Sequence, residues 1–203
     1  MSISIQDREH ISAAIRKVET TTSGEIVCVL AQSSVDAKAL PIFVAAVVAL
    51  GVPWLLVALT AMPVLRILLV QSLLFAALTA LLCLPAVRVA LVPRAARRAV
   101  AHRVAMEQFA IRGLAHKDGH TGILIFVSLA ERYARIIPDE DIAARVPQAA
   151  WQRAVDALVT QMRNGRVADG FITAIEICGS MLAAHFPRTE SSVDNLPNRI
   201  HVI

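Results

Sequence analysis

Three consecutive acidic residues, Asp139, Glu140 and Asp141, follow a short apolar run that is typical of a β-strand. Asp118 lies in the turn before the neighbouring predicted strand, and Glu25 begins the first predicted strand. Hard divalent cations such as calcium bind several oxygen ligands, and a loop at the end of a strand brings such ligands together. The sequence therefore predicts a cation site formed by Asp139, Glu140, Asp141 and Asp118.

The same acids also have an interpretation that needs no ion. Pro138 precedes Asp139, and proline favours the first turn of a helix. Acidic side chains at this position accept hydrogen bonds from the free N–H groups and interact favourably with the positive end of the helix dipole. Both interpretations stay open from the sequence.

Other chemically active residue types have simpler interpretations. Residues 116–120, HKDGH, place two histidines near an aspartate, but a fourth metal ligand is absent, so we predict a solvated loop. Glu131 and Arg132 are predicted to be exposed charges at the tip of a hairpin, and Trp151 is predicted to lie in the core. The spacing singles out no Ser-His-Asp or Cys-His arrangement, so no catalytic residue is assigned.

These residues must be positioned by an α/β fold, which we predict to be a small mixed sheet covered by helices. Two of the predicted strands, 122–129 and 133–137, are separated too briefly for a crossover and must form an antiparallel hairpin. The chain ends with a predicted edge strand. The remaining predicted elements are helix 4–20, strand 25–30, helix 94–114, and two further helices centred on Leu158 and Ile175. At the start of helix 4–20, Ser4 and Asp7 have the spacing of a capping box.

One apolar block dominates the composition, which is 56% hydrophobic and 18% charged. Residues 39–87 contain one charged side chain, Arg66. A membrane span needs about 20 apolar residues, and residues 42–61 and 67–87 each supply that length. We therefore predict a transmembrane hairpin of two helices. The alternative, a pair of buried helices in a soluble protein, would require unusually long charge-free core helices.

The positive charges indicate the orientation of this hairpin. The net charge is +4, and residues 88–103 contain five arginines and no acid. Cytoplasmic flanks are enriched in Lys and Arg, and the chain starts without the features of a signal peptide. We therefore expect a two-pass protein of the inner (plasma) membrane with both termini in the cytoplasm. Residues 88–103 either lie along the membrane surface, where their arginines bind anionic lipid headgroups, or serve only as a stop-transfer signal. The sequence favours neither interpretation.

The predicted domain organisation follows from the position of the apolar block. Residues 1–38 and 88–187 form the two parts of one domain, residues 39–87 form the hairpin, and residues 188–203 form a polar tail. The flanking parts are close to neutral, which argues against nucleic-acid binding because that function needs a basic folded surface.

Three motifs resemble the TPM domain family, whose better-known members are thylakoid-lumen phosphatase-like proteins. Residues 21–29, TTSGEIVCV, resemble the family's Thr-x-x-Glu-Ile-Val-Val strand. Residues 121–132, TGILIFVSLAER, resemble its Asn-Gly-Val-Leu-Leu-Leu-Val-Ala-x-x-x-Arg core, and Arg135-Ile-Ile resembles its Arg-x-Arg-Ile strand. The resemblance covers residues 5–32 and 99–187, and it extends to a bacterial subgroup with a membrane hairpin inside the domain.

The resemblance implies an α/β sandwich, binding of a divalent cation, often calcium, and the acid-phosphatase activity of some relatives. One segment departs from the family pattern. Family members commonly have Gly-Tyr-Gly-Leu-Glu after the Arg-Ile strand, whereas this chain has Asp-Glu-Asp-Ile-Ala at 139–143. The glycines and the terminal glutamate are absent, which argues against an enzyme.

Three functions are compatible with these features. The first is a membrane-anchored, non-catalytic TPM-like module that binds an ion or a partner protein, including a second copy of itself, beside the lipid bilayer. The alternative is a metal-dependent phosphatase that acts on phosphomonoesters, and it depends on family resemblance alone. The third and weakest is a transporter subunit, because two helices enclose a path only when several chains assemble.

Overall fold

A computed structural model of the chain describes residues 3–34, 39–60, 63–84, 87, 92–114, 122–188 and 197–203. These ranges contain seven helices and four strands. In chain order, the elements are α1 (Ile5–Glu19), β1 (Glu25–Ala31), α2 (Ala39–Leu59), α3 (Val64–Leu82), α4 (Arg94–Ile111), β2 (Gly122–Ser128), β3 (Tyr133–Pro138), α5 (Glu140–Arg145), α6 (Gln148–Arg163), α7 (Val167–His185) and β4 (Ile200–Val202).

The four strands form one mixed sheet in the order β3-β2-β1-β4. β1 is parallel to β2 and to β4, whereas β2 and β3 are antiparallel. In the central pair, Glu25 lies opposite Gly122 and Ala31 lies opposite Ser128. Every residue of β1 and β2 is buried, as is usual for parallel strands that are covered on both faces. The predicted mixed sheet and the predicted antiparallel hairpin are confirmed.

Alternate residues of β1 enter two separate apolar clusters, because successive side chains of a strand point to opposite faces. Ile26 and Leu30 belong to the larger cluster, which also contains residues of α1, α6 and α7. Val27 and Val29 belong to the smaller cluster, which contains Phe109 of α4. The sheet therefore has helices on both faces.

Several local predictions agree with the structure. The Ser4 hydroxyl accepts the Asp7 N–H at 3.1 Å, and Asp7 Oδ2 accepts the Ser4 N–H at 3.0 Å. This reciprocal pair is the capping box that starts α1. Trp151 of α6 is 2% exposed and lies in the larger cluster, as predicted. Ile200 begins the short edge strand that ends the sheet.

The chain divides into two compact units, one formed by Met1–Ser34 with Val100–Ile203 and the other by Val35–Ala99. In the second unit α2 and α3 pack against each other, and Ala45, Ala49 and Ile67 are buried. The predicted domain boundaries at residues 38, 87 and 187 are not decided by this division and stay predictions.

Within the described ranges, three helices are long and apolar enough to cross a membrane. In the most apolar 18-residue window of each helix, the share of buried residues is 11% for Pro41–Leu59 and 6% for Val64–Leu82. For Val167–His185 this share is 44%. The third segment lies within α7, where Phe171 and Ile175 have no exposed surface and belong to the larger cluster. Its length and composition match those of a span, but its packing is that of a core helix.

The contact between α1 and α7 gives a test of the core. A Cβ added at Gly179 of α7 would overlap the side chain of Val18 on α1. We expect Gly179→Leu to separate the two helices and to lower the free energy of unfolding by about 1–3 kcal/mol, the usual cost of overpacking. Thermal and denaturant unfolding of the detergent-solubilised chain measures this loss. The double variant Val18→Ala/Gly179→Leu should recover part of it, and an undiminished stability of Gly179→Leu would contradict the close approach.

Candidate functional site

Four polar residues meet where β1 and β2 end, and we name them the Ser–Glu cluster: Ser33, Ser34, Ser128 and Glu131. Ser33 Oγ donates to Glu131 Oε1 at 2.9 Å, and the Ser34 N–H donates to Glu131 Oε2 at 3.0 Å. The Ser128 hydroxyl also donates to Glu131 Oε2 and accepts a hydrogen bond from the Ser34 hydroxyl at 2.9 Å. Ligands of open α/β sheets commonly bind outside the carboxyl ends of the strands, which makes this end a candidate site.

Backbone pairing beyond the strands brings these residues together. The Leu129 N–H donates to the Ala31 carbonyl at 3.0 Å, and the Ala130 N–H donates to the Gln32 carbonyl at 3.1 Å. The chain then reverses through Arg132, whose φ of +50° is a left-handed conformation that is uncommon outside glycine. Glu131 is thereby directed inward, while Arg132 stays exposed.

The prediction that Glu131 is an exposed charge is wrong. Its side chain is 7% exposed, and three donors from the Ser–Glu cluster stabilise the buried carboxylate, which would otherwise be costly to remove from water. The prediction failed because the donors at Ser33 and Ser34 are almost a hundred residues away in the chain. The available signal was the group of serines directly after one strand and at the end of the next.

The hydroxyls of Ser33 and Ser128 both donate to the Glu131 carboxylate, which is also the bonding pattern of a hydroxyl activated by a carboxylate. Ser128, which donates to Glu131, has no exposed surface. A nucleophile must reach its substrate, so Ser128 is poorly placed for that role. The arrangement instead joins the segment after β1 to the turn after β2.

The opposite end of the sheet carries Asp139, one of the residues predicted to bind a cation. Asp139 is 5% exposed, and its N–H donates to the Gly122 carbonyl at 2.9 Å. Glu25, which is 3% exposed, lies opposite the same Gly122 in the sheet. The structure thus brings Asp139 and Glu25 to one end of the sheet, whereas Glu140 and Asp141 are exposed on α5.

The contacts of Asp139 are those of a helix cap. Its Oδ1 accepts the Glu140 N–H at 2.6 Å, and it is the N-cap residue of α5. Asp118 and the rest of residues 116–120 lie outside the described residues. Among the residues that the structure describes, no group of three or more His, Cys, Asp or Glu side chains is arranged to hold a metal ion. The four-residue cation site stays a prediction.

Two ionisable groups report their surroundings. Burial raises the pKa of the Cys28 thiol well above its usual range, so this cysteine is a poor nucleophile. Burial, followed by the charges of Arg112 and Arg199, lowers the pKa of His201 on β4. The region around His201 is therefore electropositive, which disfavours the protonated form of its imidazole.

The fold defines an α/β protein with a mixed sheet between helices and a separate pair of apolar helices. Residues 85–180 match the family model described as TPM domain. The predicted resemblance to the TPM domain family is confirmed over this segment, which is slightly less than half of the chain. The matched segment begins after α3, so it does not include α1 and β1, which complete the same compact unit.

One solved structure supports the fold independently of sequence motifs. The NMR structure of BA42 protein from the psychrophilic bacterium Bizionia argentinensis aligns with a TM-score of 0.62 and 19% sequence identity. The alignment covers 100% of this chain and 96% of that chain. No curated protein sequence matches the chain significantly. At this low identity the BA42 structure is similar in fold, and it says nothing about activity.

The Ser–Glu cluster gives a second test. Glu131→Gln replaces one carboxylate oxygen with an NH₂ group, which is a donor. The hydrogen-bond donors that contact this oxygen then lose their acceptor. We expect a loss of about 1–3 kcal/mol in the free energy of unfolding, the cost of unsatisfied buried polar groups. The matched control is Glu140→Gln on the exposed face of α5, which should change stability by less than about 0.5 kcal/mol. Equal effects of the two substitutions in chemical unfolding would contradict the role of the Ser–Glu cluster.

Proposed function

We propose that the protein is a membrane-anchored, non-catalytic TPM module that binds a divalent cation or a partner protein at the cytoplasmic face of the bacterial inner membrane. The observation that carries the proposal is the outward-facing apolar surface of α2 and α3. Trp54 is 82% exposed, Leu65 71% and Leu73 70%. Soluble monomers rarely expose contiguous apolar patches of such extent, so a bilayer is the natural environment of this helix pair.

The contacts between α2 and α3 support the same proposal. The buried residues Ala45 and Ala49 are spaced four apart on one face of α2. Small residues at this spacing allow close approach of helices in membranes, where van der Waals contacts drive association. Gln71 of α3 is partly buried, in keeping with polar side chains that avoid lipid by facing a neighbouring helix.

The charge distribution supports the orientation with both termini in the cytoplasm. Arg66 is the single charge within 39–87, whereas residues 88–103 carry five arginines. Positive residues near the ends of spans are retained on the cytoplasmic side. We infer from this rule that the TPM domain lies in the cytoplasm, where it is available to a soluble or membrane-bound partner.

Two features support binding without catalysis. The loop at 139–143 lacks the family's glycines and terminal glutamate, and the hydroxyl of Ser128, which donates to Glu131, has no exposed surface. Asp139 and Glu25 bring two carboxylates to one end of the sheet, which is a partial ligand set for a hard cation.

The membrane anchor is tested by matched arginine substitutions. Leu73 on α3 and Ile111 at the end of α4 are 70% and 68% exposed. If α3 crosses a bilayer, Leu73→Arg places a charge in lipid at a cost of about 2.5–3.5 kcal/mol on insertion scales, whereas Ile111→Arg stays in water. We expect Leu73→Arg to be depleted from the carbonate-washed membrane fraction and Ile111→Arg to be retained. Wild-type protein that is soluble without detergent would contradict the anchor.

The binding role is tested by calorimetric titration of the full-length chain, in detergent, with Ca²⁺ and Mg²⁺. We expect binding that is lost in the double variant Asp139→Asn/Asp141→Asn and retained in Asp156→Asn, which removes a carboxylate from the exposed face of α6. Absence of heat at millimolar ion, together with no protein captured from native membranes, would contradict the proposal. Hydrolysis of a phosphomonoester that disappears in the double variant would favour the phosphatase.

A further inference from the structure

Three side chains with hydrogen-bonding groups meet at the edge of the sheet, on the face that α4 covers. The Tyr133 hydroxyl lies 3.4 Å from His102 Nδ1, and Arg135 Nη1 lies 3.3 Å from the same nitrogen. Tyr133 and Arg135 alternate along β3 and therefore share a face, while His102 comes from α4. Tyr133 is fixed in place by an edge-to-face contact with Phe126, whose ring centroid is 6.3 Å away.

The contacts within this group are weak ones. Both distances exceed the usual hydrogen-bond separation of about 2.9 Å. Within the described part of the chain, Arg135 contacts no carboxylate, and its one polar contact is with His102. The guanidinium is exposed and retains most of its donors for another acceptor.

Arg135 has no acid beside it on its own strand. β3 contains Arg135 and no acid, and the part of α4 that belongs to the same compact unit carries one arginine, Arg103, and one acid, Glu107. An exposed arginine without an opposite charge attracts anions.

We propose that His102, Tyr133 and Arg135 form a binding site for a phosphate group. A guanidinium forms paired hydrogen bonds with phosphate oxygens, which are shorter and stronger than its contact with imidazole. The Tyr133 hydroxyl, which lies 3.4 Å from the imidazole nitrogen that Arg135 also contacts, is a further potential donor. Because the site is open, it suits a phosphate carried by a larger ligand as well as the free ion. The proposal is independent of the cation site.

The first experiment titrates inorganic phosphate into the full-length chain in zwitterionic nanodiscs, with chloride at equal ionic strength as the reference. Arg135→Gln should weaken phosphate binding by about tenfold or more, the loss of one charge-assisted hydrogen bond. Tyr133→Phe retains the ring contact and should weaken it less. The matched control is Arg153→Gln, which removes the same charge from an exposed position on α6 and should bind like wild type.

A second arm identifies the source of the phosphate. The same proteins are placed in nanodiscs that contain phosphatidylglycerol, and the melting temperature is compared with that in phosphatidylcholine. A stabilisation by phosphatidylglycerol that Arg135→Gln loses and Arg153→Gln keeps would assign the site to a lipid headgroup. Phosphate binding in the first arm alone would assign it to a soluble ligand. Absence of both effects, or equal losses in Arg135→Gln and Arg153→Gln, would overturn the proposal.

Discussion

The parallel pairing of β1 with β2 is the constraint on which the rest of the structure depends. Both strands are buried along their whole length, so both faces of the sheet need a cover of helices. Parallel neighbours also require a crossover from one end of the sheet to the other. α4 lies in the connection between them, and its Ala105 and Phe109 pack on one face. α1, α6 and α7 cover the other face.

Parallel pairing also creates two chemically different ends of the sheet. At the carboxyl end Glu131 is buried with donors from three serines. At the amino end Asp139 caps α5 and lies near Gly122, opposite which Glu25 begins β1. Each buried carboxylate is thus held by hydrogen bonds that the strand ends make available, because a buried charge without partners would destabilise the fold.

The two compact units differ in where their large apolar side chains lie. In the unit that contains the sheet, apolar side chains point inward and form the two clusters. In α2 and α3 most of the large apolar side chains are exposed instead, and Ile67 is an exception. The excess of apolar residues in the composition is therefore concentrated in the helix pair, whose residues 39–87 contain one charged side chain, Arg66. This contrast is why the proposed function begins from the helix pair.

The sequence by itself determined the features that depend on neighbouring residues. The capping box of Ser4, the antiparallel β2–β3 hairpin, the apolar helix pair and the buried position of Trp151 follow from local spacing and side-chain type. The resemblance to TPM domains could also be recognised from the sequence, because its main motif is one continuous segment that includes β2.

Only the tertiary structure decided which distant residues meet. It placed β4 beside β1, buried Glu131 among serines from another part of the chain, and brought His102 to Arg135. These contacts join residues about 30 to 170 positions apart, where spacing along the chain carries no information about distance in space. Whether a polar side chain is buried, and which residue it bonds, depends on such long-range contacts. Residue type alone therefore did not predict either.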